Sequence, residues 1–196
     1  MARYAGKSWR SFRPGDAQHR VTSAPIRWVA RDCRVLGLDP GSQRTGYGVI
    51  DCQAGREHHV TSGCIDVAGH DMVVRLQRIY GTIAALVLEH RPDVVAIERV
   101  FVHRNPDSAL KLGQARGVAL CAAASLGASV HEYAPRAIKI AITGYGAAAK
   151  PQVAQMVRSL LMLEIKLAAD AADALAVALC HSQTRRLGVL EDADVA

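Results

Sequence analysis

The sequence predicts an α/β domain on a mixed sheet, an antiparallel meander followed by parallel strands, with helices on both faces. Two observations carry this. Short strand-type runs joined by tight turns fill residues 34–66, which is the pattern of antiparallel neighbours. From residue 71 onward, strand-type runs alternate with stretches of helical periodicity, as expected for a sheet covered on both faces. Neither a second core nor an internal repeat is visible.

The first strand is 34–39, RVLGLD: Val35 to Leu38 are apolar and Asp39 ends the run, before Pro40 and Gly41 turn the chain. Strands at about 45–52 and 58–66 follow, joined by the turn at Gln53 to Arg56. In DMVVRLQRIYGTIAALVLEH, the residues Val73, Leu76, Ile79, Tyr80, Ile83, Leu86 and Val87 recur at helical spacing, and Arg91-Pro92 stops the helix. Val94 to Ile97 form a wholly apolar strand that ends on Glu98. A helix starts among Asn105 to Ser108 and runs to Gly127, its Ala and Gly content allowing close packing; Gly113 and Gly117 suit packing within the protomer, the preferred reading, or a dimer interface.

Ser129 to Tyr133 predict the last strand. Pro135 opens the helix RAIKIAIT, which Gly144 stops, and Pro151 leads into QVAQMVRSLLML. The final predicted helix, ADAADALAVALCH, ends at His181, and a polar tail occupies 183–196.

Half of the 196 residues are apolar, enough for one core that buries about two thirds of the unfolded surface. No run of roughly 18 uncharged apolar residues occurs, and the opening lacks the apolar middle of a secretory signal, so a cytoplasmic protein is expected. The cysteines, Cys33, Cys52, Cys64, Cys121 and Cys180, are odd in number and contain no CxxC pair, which argues against a disulfide framework and a thiolate zinc site.

The net charge of +6 is unevenly spread. Residues 1–33 hold seven Lys and Arg against Asp16 and Asp32, a balance of +5, and the remainder, 17 basic against 16 acidic, has +1. The high pI therefore belongs mainly to an N-terminal arm without periodicity, read as a basic, poorly ordered extension. A DNA-tracking arm, an over-long start and a transit peptide are its other readings. Residues 34–182 form the domain.

Asp39 and Glu98 repeat one arrangement: an apolar strand, then one carboxylate. A lone buried charge is costly, so each asks for a partner or a cation. Asp170 and Asp173 stand three apart in an Ala-rich helix and so share a face. Two neighbouring carboxylates repel unless a cation lies between them, although a helix start alone also favours Asp. Four such acids are the inventory for two divalent ions about 3.5–4 Å apart, which activate a water on one side of a phosphodiester and stabilise the leaving oxygen on the other.

Four ordered blocks, LGLDPGSQRTGYGVI, VVAIERVF, NPDSALKLGQARGVAL and DAADALAVALCH, resemble the RuvC family of Holliday junction resolvases from about Arg34 to His181. The resemblance implies a ribonuclease H-like fold, a homodimer, two Mg²⁺ per site with Mn²⁺ as substitute, and paired symmetric nicks in a four-way DNA junction during recombination and repair. It implies the RuvA–RuvB branch-migration motor as a partner. It assigns catalysis and metal binding to Asp39, Glu98, Asp170 and Asp173, and places Lys139 and Lys150 near the scissile phosphate. Phe101 matches an aromatic that stacks on an unpaired junction base. Arg104, Lys111, Arg116 and Arg136 are further candidates for phosphate contact.

The 33-residue extension and the absence of Pro before the two acids depart from the family pattern. Other readings are an actin-like or sugar-kinase-type ATPase, since LGLDPGS resembles the phosphate turn of that fold, or a non-cleaving junction-binding or RNA-processing relative. The first needs a second Gly-rich phosphate block, which the sequence lacks.

Overall fold

In a computed structural model, residues 32–99, 106–125 and 127–193 are described. The arm at 1–31, together with Phe101 and Arg104, lies outside them. Ten elements follow in chain order: β1 (Cys33–Asp39), β2 (Arg44–Gln53), β3 (Arg56–Asp66), α1 (Met72–His90), β4 (Val94–Glu98), α2 (Pro106–Ala124), β5 (Ser129–Tyr133), α3 (Pro135–Thr143), α4 (Lys150–Leu160) and α5 (Ala169–Ala193).

The sheet order is β3-β2-β1-β4-β5. β1, β2 and β3 pair antiparallel, whereas β4 pairs parallel with β1 and with β5. This is the meander followed by parallel strands that the sequence predicts. Ala54 and Gly55 close the β2–β3 hairpin with φ of 48° and 77°, the two left-handed residues a twist-matched two-residue turn demands.

Alternation along the strands divides the core in two. Leu36 and Leu38 of β1, with Val95 and Ile97 of β4, pack on Ile79, Ile83 and Val87 of α1 and on Ala115 and Ala119 of α2. Val35 and Ala96 face the other way, onto Ile138, Ile142, Val153, Val157, Leu175 and Leu179 from α3, α4 and α5. Side chains two apart on a strand share a face, so Asp39 and Glu98 point to the α5 side. Each fully buried Leu or Ile contributes roughly 1.5–3 kcal/mol through water exclusion.

Helix ends follow local chemistry. Asp71 caps α1 by accepting from the Val74 N–H at 3.1 Å, and Arg91, at φ 46°, closes its far end. Gly144 ends α3 in the left-handed region. At the end of the sheet remote from Asp39, Arg34 grips both oxygens of Asp51, at 2.6 and 2.8 Å, and donates to the His90 carbonyl.

Two expectations are corrected. α5 does not stop at His181 but continues to Ala193, because its polar residues are tethered: Ser182 donates to Glu57 at 2.7 Å and Arg186 pairs with the same carboxylate. Gly113 and Gly117 do not serve packing inside the protomer, since a Cβ on either meets nothing within 4 Å. α2 packs inward through Ala115, Ala119, Ala122 and Ala123 instead.

Candidate active site

The site forms where two parallel strands end together. Leu38 is the register partner of Ile97, so the next residues, Asp39 and Glu98, stand side by side on strands about 4.8 Å apart. Each is half-buried, and each carboxyl perturbs the other. Two carboxylates side by side cannot both carry charge cheaply. Burial, foremost, raises the Asp39 carboxyl; burial, the neighbouring Asp39 carboxyl and the charge of Asp173 push Glu98 up to about 8.

The helix that brings the other acids is seated by missing side chains. Gly37 and Gly48 are cross-strand partners, and Gly46 lies opposite Asp39. A Cβ on Gly37 would strike the Ala174 carbonyl and come within 2.8 Å of the Ala178 nitrogen. On Gly46 it would strike the carbonyl of Asp170, and on Gly48 the Leu175 side chain at 2.6 Å. The three glycines make a trough in which the α5 backbone lies directly on β1 and β2. α5 thereby crosses the strand ends with Asp170 and Asp173 near Asp39, close enough for both charges to act on it.

The four acids have different companions. Asp173, 19% exposed, accepts from the Lys150 ammonium at 2.6 Å, a contact that holds this lysine above its ordinary pKa. Asp170 accepts from the thiol of Cys64 on β3 at 3.4 Å. Among the described residues, no three His, Cys, Asp or Glu side chains are already gathered as a metal-binding group. The donor set nonetheless fits a hard divalent cation. Every available donor is a carboxylate oxygen, the kind such a cation takes.

A cleft lined by Glu98, Lys139, Lys150 and Asp173 opens beside the acids, so both predicted lysines border them. The remaining basic candidates are differently engaged. Lys111 pairs with Asp107 one turn away at 2.6 Å, Arg116 pairs with Glu132, and Arg136 is exposed, its side chain lying over Gly146. Two features escaped the sequence analysis. The trough glycines carried a signal, since Gly inside a strand marks close backbone approach. Cys64 carried none, because a lone cysteine on an amphipathic strand does not reveal its neighbour.

A mixed five-stranded sheet, with acids at the ends of β1 and β4 and a helix laid across them, defines a domain of the ribonuclease H-like class. The family profile described as "Crossover junction endodeoxyribonuclease RuvC" matches residues 35–181. A relative of that description from Tolumonas auensis is 54% identical over 152 residues, covering 78% of this chain and 88% of its own length. Thermus thermophilus RuvC, solved in complex with a Holliday junction substrate, superposes with TM-score 0.75 at 34% identity, over 80% of this chain and 97% of that one. The yeast mitochondrial Holliday junction resolvase shares the fold, with TM-score 0.60 at 13% identity, over 84% of this chain and 85% of its own. The chain belongs to the RuvC family of crossover junction endodeoxyribonucleases.

Among the described residues, no helix is long and apolar enough to cross a membrane.

Proposed function

We propose that this chain resolves four-way DNA junctions by paired, symmetric phosphodiester hydrolysis, in homologous recombination and repair, with Asp39, Glu98, Asp170 and Asp173 holding two Mg²⁺ per site and Mn²⁺ able to substitute. The observation that carries this reading is the Asp39–Glu98 pair at adjacent strand ends, with α5 laid across so that the charges of Asp170 and Asp173 act on Asp39. Bound divalent cations supply Lewis acidity toward the phosphodiester and make attack by water accessible at neutral pH.

The chain's own groups do the rest. Asp39 and Glu98, raised in pKa by burial, would hold a cation in their ionised form, so its binding would be coupled to proton release. Lys150, 77% exposed at the cleft mouth, keeps its charge through Asp173, and with Lys139 it positions the DNA backbone and offsets charge that develops on the phosphate. Phe101 is assigned to stacking on an unpaired base at the junction. Arg104, Lys111, Arg116 and Arg136 remain candidates for phosphate contact.

Paired symmetric cuts need two identical sites, so the working unit is a homodimer. Gly113 and Gly117, which face open space, support α2 as a surface for close association. The nuclease domain runs from β1 through α5, and the setting is cytoplasmic, with a RuvA–RuvB motor as partner. The deciding experiment is cleavage of a synthetic four-way junction with and without Mg²⁺. Two symmetric nicks that yield ligatable duplexes, with linear duplex left largely intact, are expected; uncut junction in Mg²⁺ overturns the reading.

A further inference from the structure

At the opposite end of β1 from the acids, Cys33 and Cys52 face one another. They are register partners on the antiparallel β1–β2 ladder, and both pack against the core beneath α5, so their side chains leave the sheet on the same face. Directly opposed residues on antiparallel strands have Cα atoms about 4.5 or 5.5 Å apart, and both separations lie within the range a disulfide spans. Both are free thiols, and Cys52 is the largest influence on the Cys33 thiol. Both are half-buried and reachable: Cys33 lines one surface cleft and Cys52 another, the second bordered also by Ser182 and Arg185.

We infer that Cys33 and Cys52 are an oxidisable dithiol, at which a peroxide joins β1 to β2 through an intramolecular disulfide. The roles of the sulfurs are set by their neighbours. Arg185 of α5 donates to the Cys33 sulfur. Cys52 first, and the Arg185 charge after it, bring the Cys33 thiol down to about 7 against the opposing effects of burial and Asp93. Cys52, beside Cys33 and buried, is held in its thiol form.

Cys33 is therefore the attacking sulfur. Its thiolate bonds to one oxygen of hydrogen peroxide as the O–O bond breaks, and the other oxygen leaves as hydroxide, which takes a proton to become water. The Cys52 sulfur then displaces the hydroxyl of the Cys33 sulfenic acid. Its own proton departs with that oxygen as a second water. The two thiols lose two electrons and the peroxide gains them.

The test uses the full chain, reduced and then exposed to hydrogen peroxide, with peptide mass mapping under non-reducing conditions. A linked Cys33–Cys52 peptide pair, 2 Da lighter than the sum of its thiol forms, is expected, and reductant restores the thiols. Before oxidation, iodoacetamide at pH 7 should label Cys33 about tenfold faster than an ordinary cysteine. Cys52→Ser should leave a sulfenic acid on Cys33 that dimedone traps, Cys33→Ser should abolish both products, and Arg185→Gln should slow oxidation several-fold. Unlinked Cys33 and Cys52 after oxidation, or cross-linking confined to Cys121 between chains, overturns the inference.

Discussion

Gly46 lies under the carbonyl of Asp170, so near that a Cβ would overlap the oxygen. The acid of α5 reaches Asp39 because a side chain is missing on β2. Gly46→Ala must lift the helix or bend the strand, at a cost of about 1–3 kcal/mol. Cleavage should fall much further than the loss of thermal stability accounts for. Gly81→Ala, which meets open space in α1, is the matched control and should stabilise by about 0.5–1 kcal/mol.

Asp39→Asn and Asp173→Asn keep the shape of the site but remove an anionic ligand. Junction cleavage should drop to the level seen without Mg²⁺, while binding measured by gel shift persists. Normal cutting by either variant refutes the assignment of these carboxylates as cation ligands.

Lys150 and Lys139 border the acids without belonging to them. Lys150→Ala and Lys139→Ala should each slow cleavage by up to about a hundredfold. Each should also reduce the dependence of junction binding on log salt by about one contact. Unchanged rates at moderate salt return both to the ordinary surface.

Glu98 gives a readout that needs no DNA. Without metal, its folded value of about 8 exceeds the ordinary 4.5, so the folded chain binds more protons than the unfolded chain between those values. Metal-free stability should therefore decline as pH rises from about 5 through 8, and Glu98→Gln should flatten the decline. Mg²⁺ at neutral pH should release protons and raise Tm, with about 2.7 kcal/mol of stabilisation at a hundred times Kd. A pH-independent Tm in the metal-free chain refutes the raised Glu98 value.

His181 acts in the opposite sense. It is 5% exposed, bonded through Nδ1 to the Tyr133 hydroxyl at 2.7 Å, and its ring lies 4.9 Å from that of His131. Burial first, then the charges of His131 and Arg185, lower it from 6.5 to about 4. The unfolded chain thus binds more protons in that window, and stability present above pH 6.5 is lost as pH falls toward 4. His181→Gln should reduce this acid sensitivity, as followed by circular dichroism melting.

Much of the site was legible because its signals are local. An apolar run that ends on one carboxylate, as at Asp39 and Glu98, announces a charged strand end, and Asp170-x-x-Asp173 announces a shared helical face. Other expectations failed for equally physical reasons. Gly113 and Gly117 resemble packing glycines in one dimension, but α2 turns its alanines inward. His181 reads as a helix end because polar residues follow it, yet Glu57, 125 residues from Ser182, supplies the partner that holds the next turn.

Residue types and spacing were sufficient for the strand order of the meander, the approximate positions of the helices, the choice of four candidate acids and the family resemblance, since each depends on neighbours a few residues away. Only tertiary packing decided that these acids come near one another. Asp39 and Asp170 are brought together by the register of β1 on β4 and by the glycine trough that lets α5 touch the sheet. Contacts between such distant residues depend on how the faces fit, which no local pattern encodes. The same packing set Cys33 against Cys52, 19 residues apart and unremarked until β1 and β2 were paired.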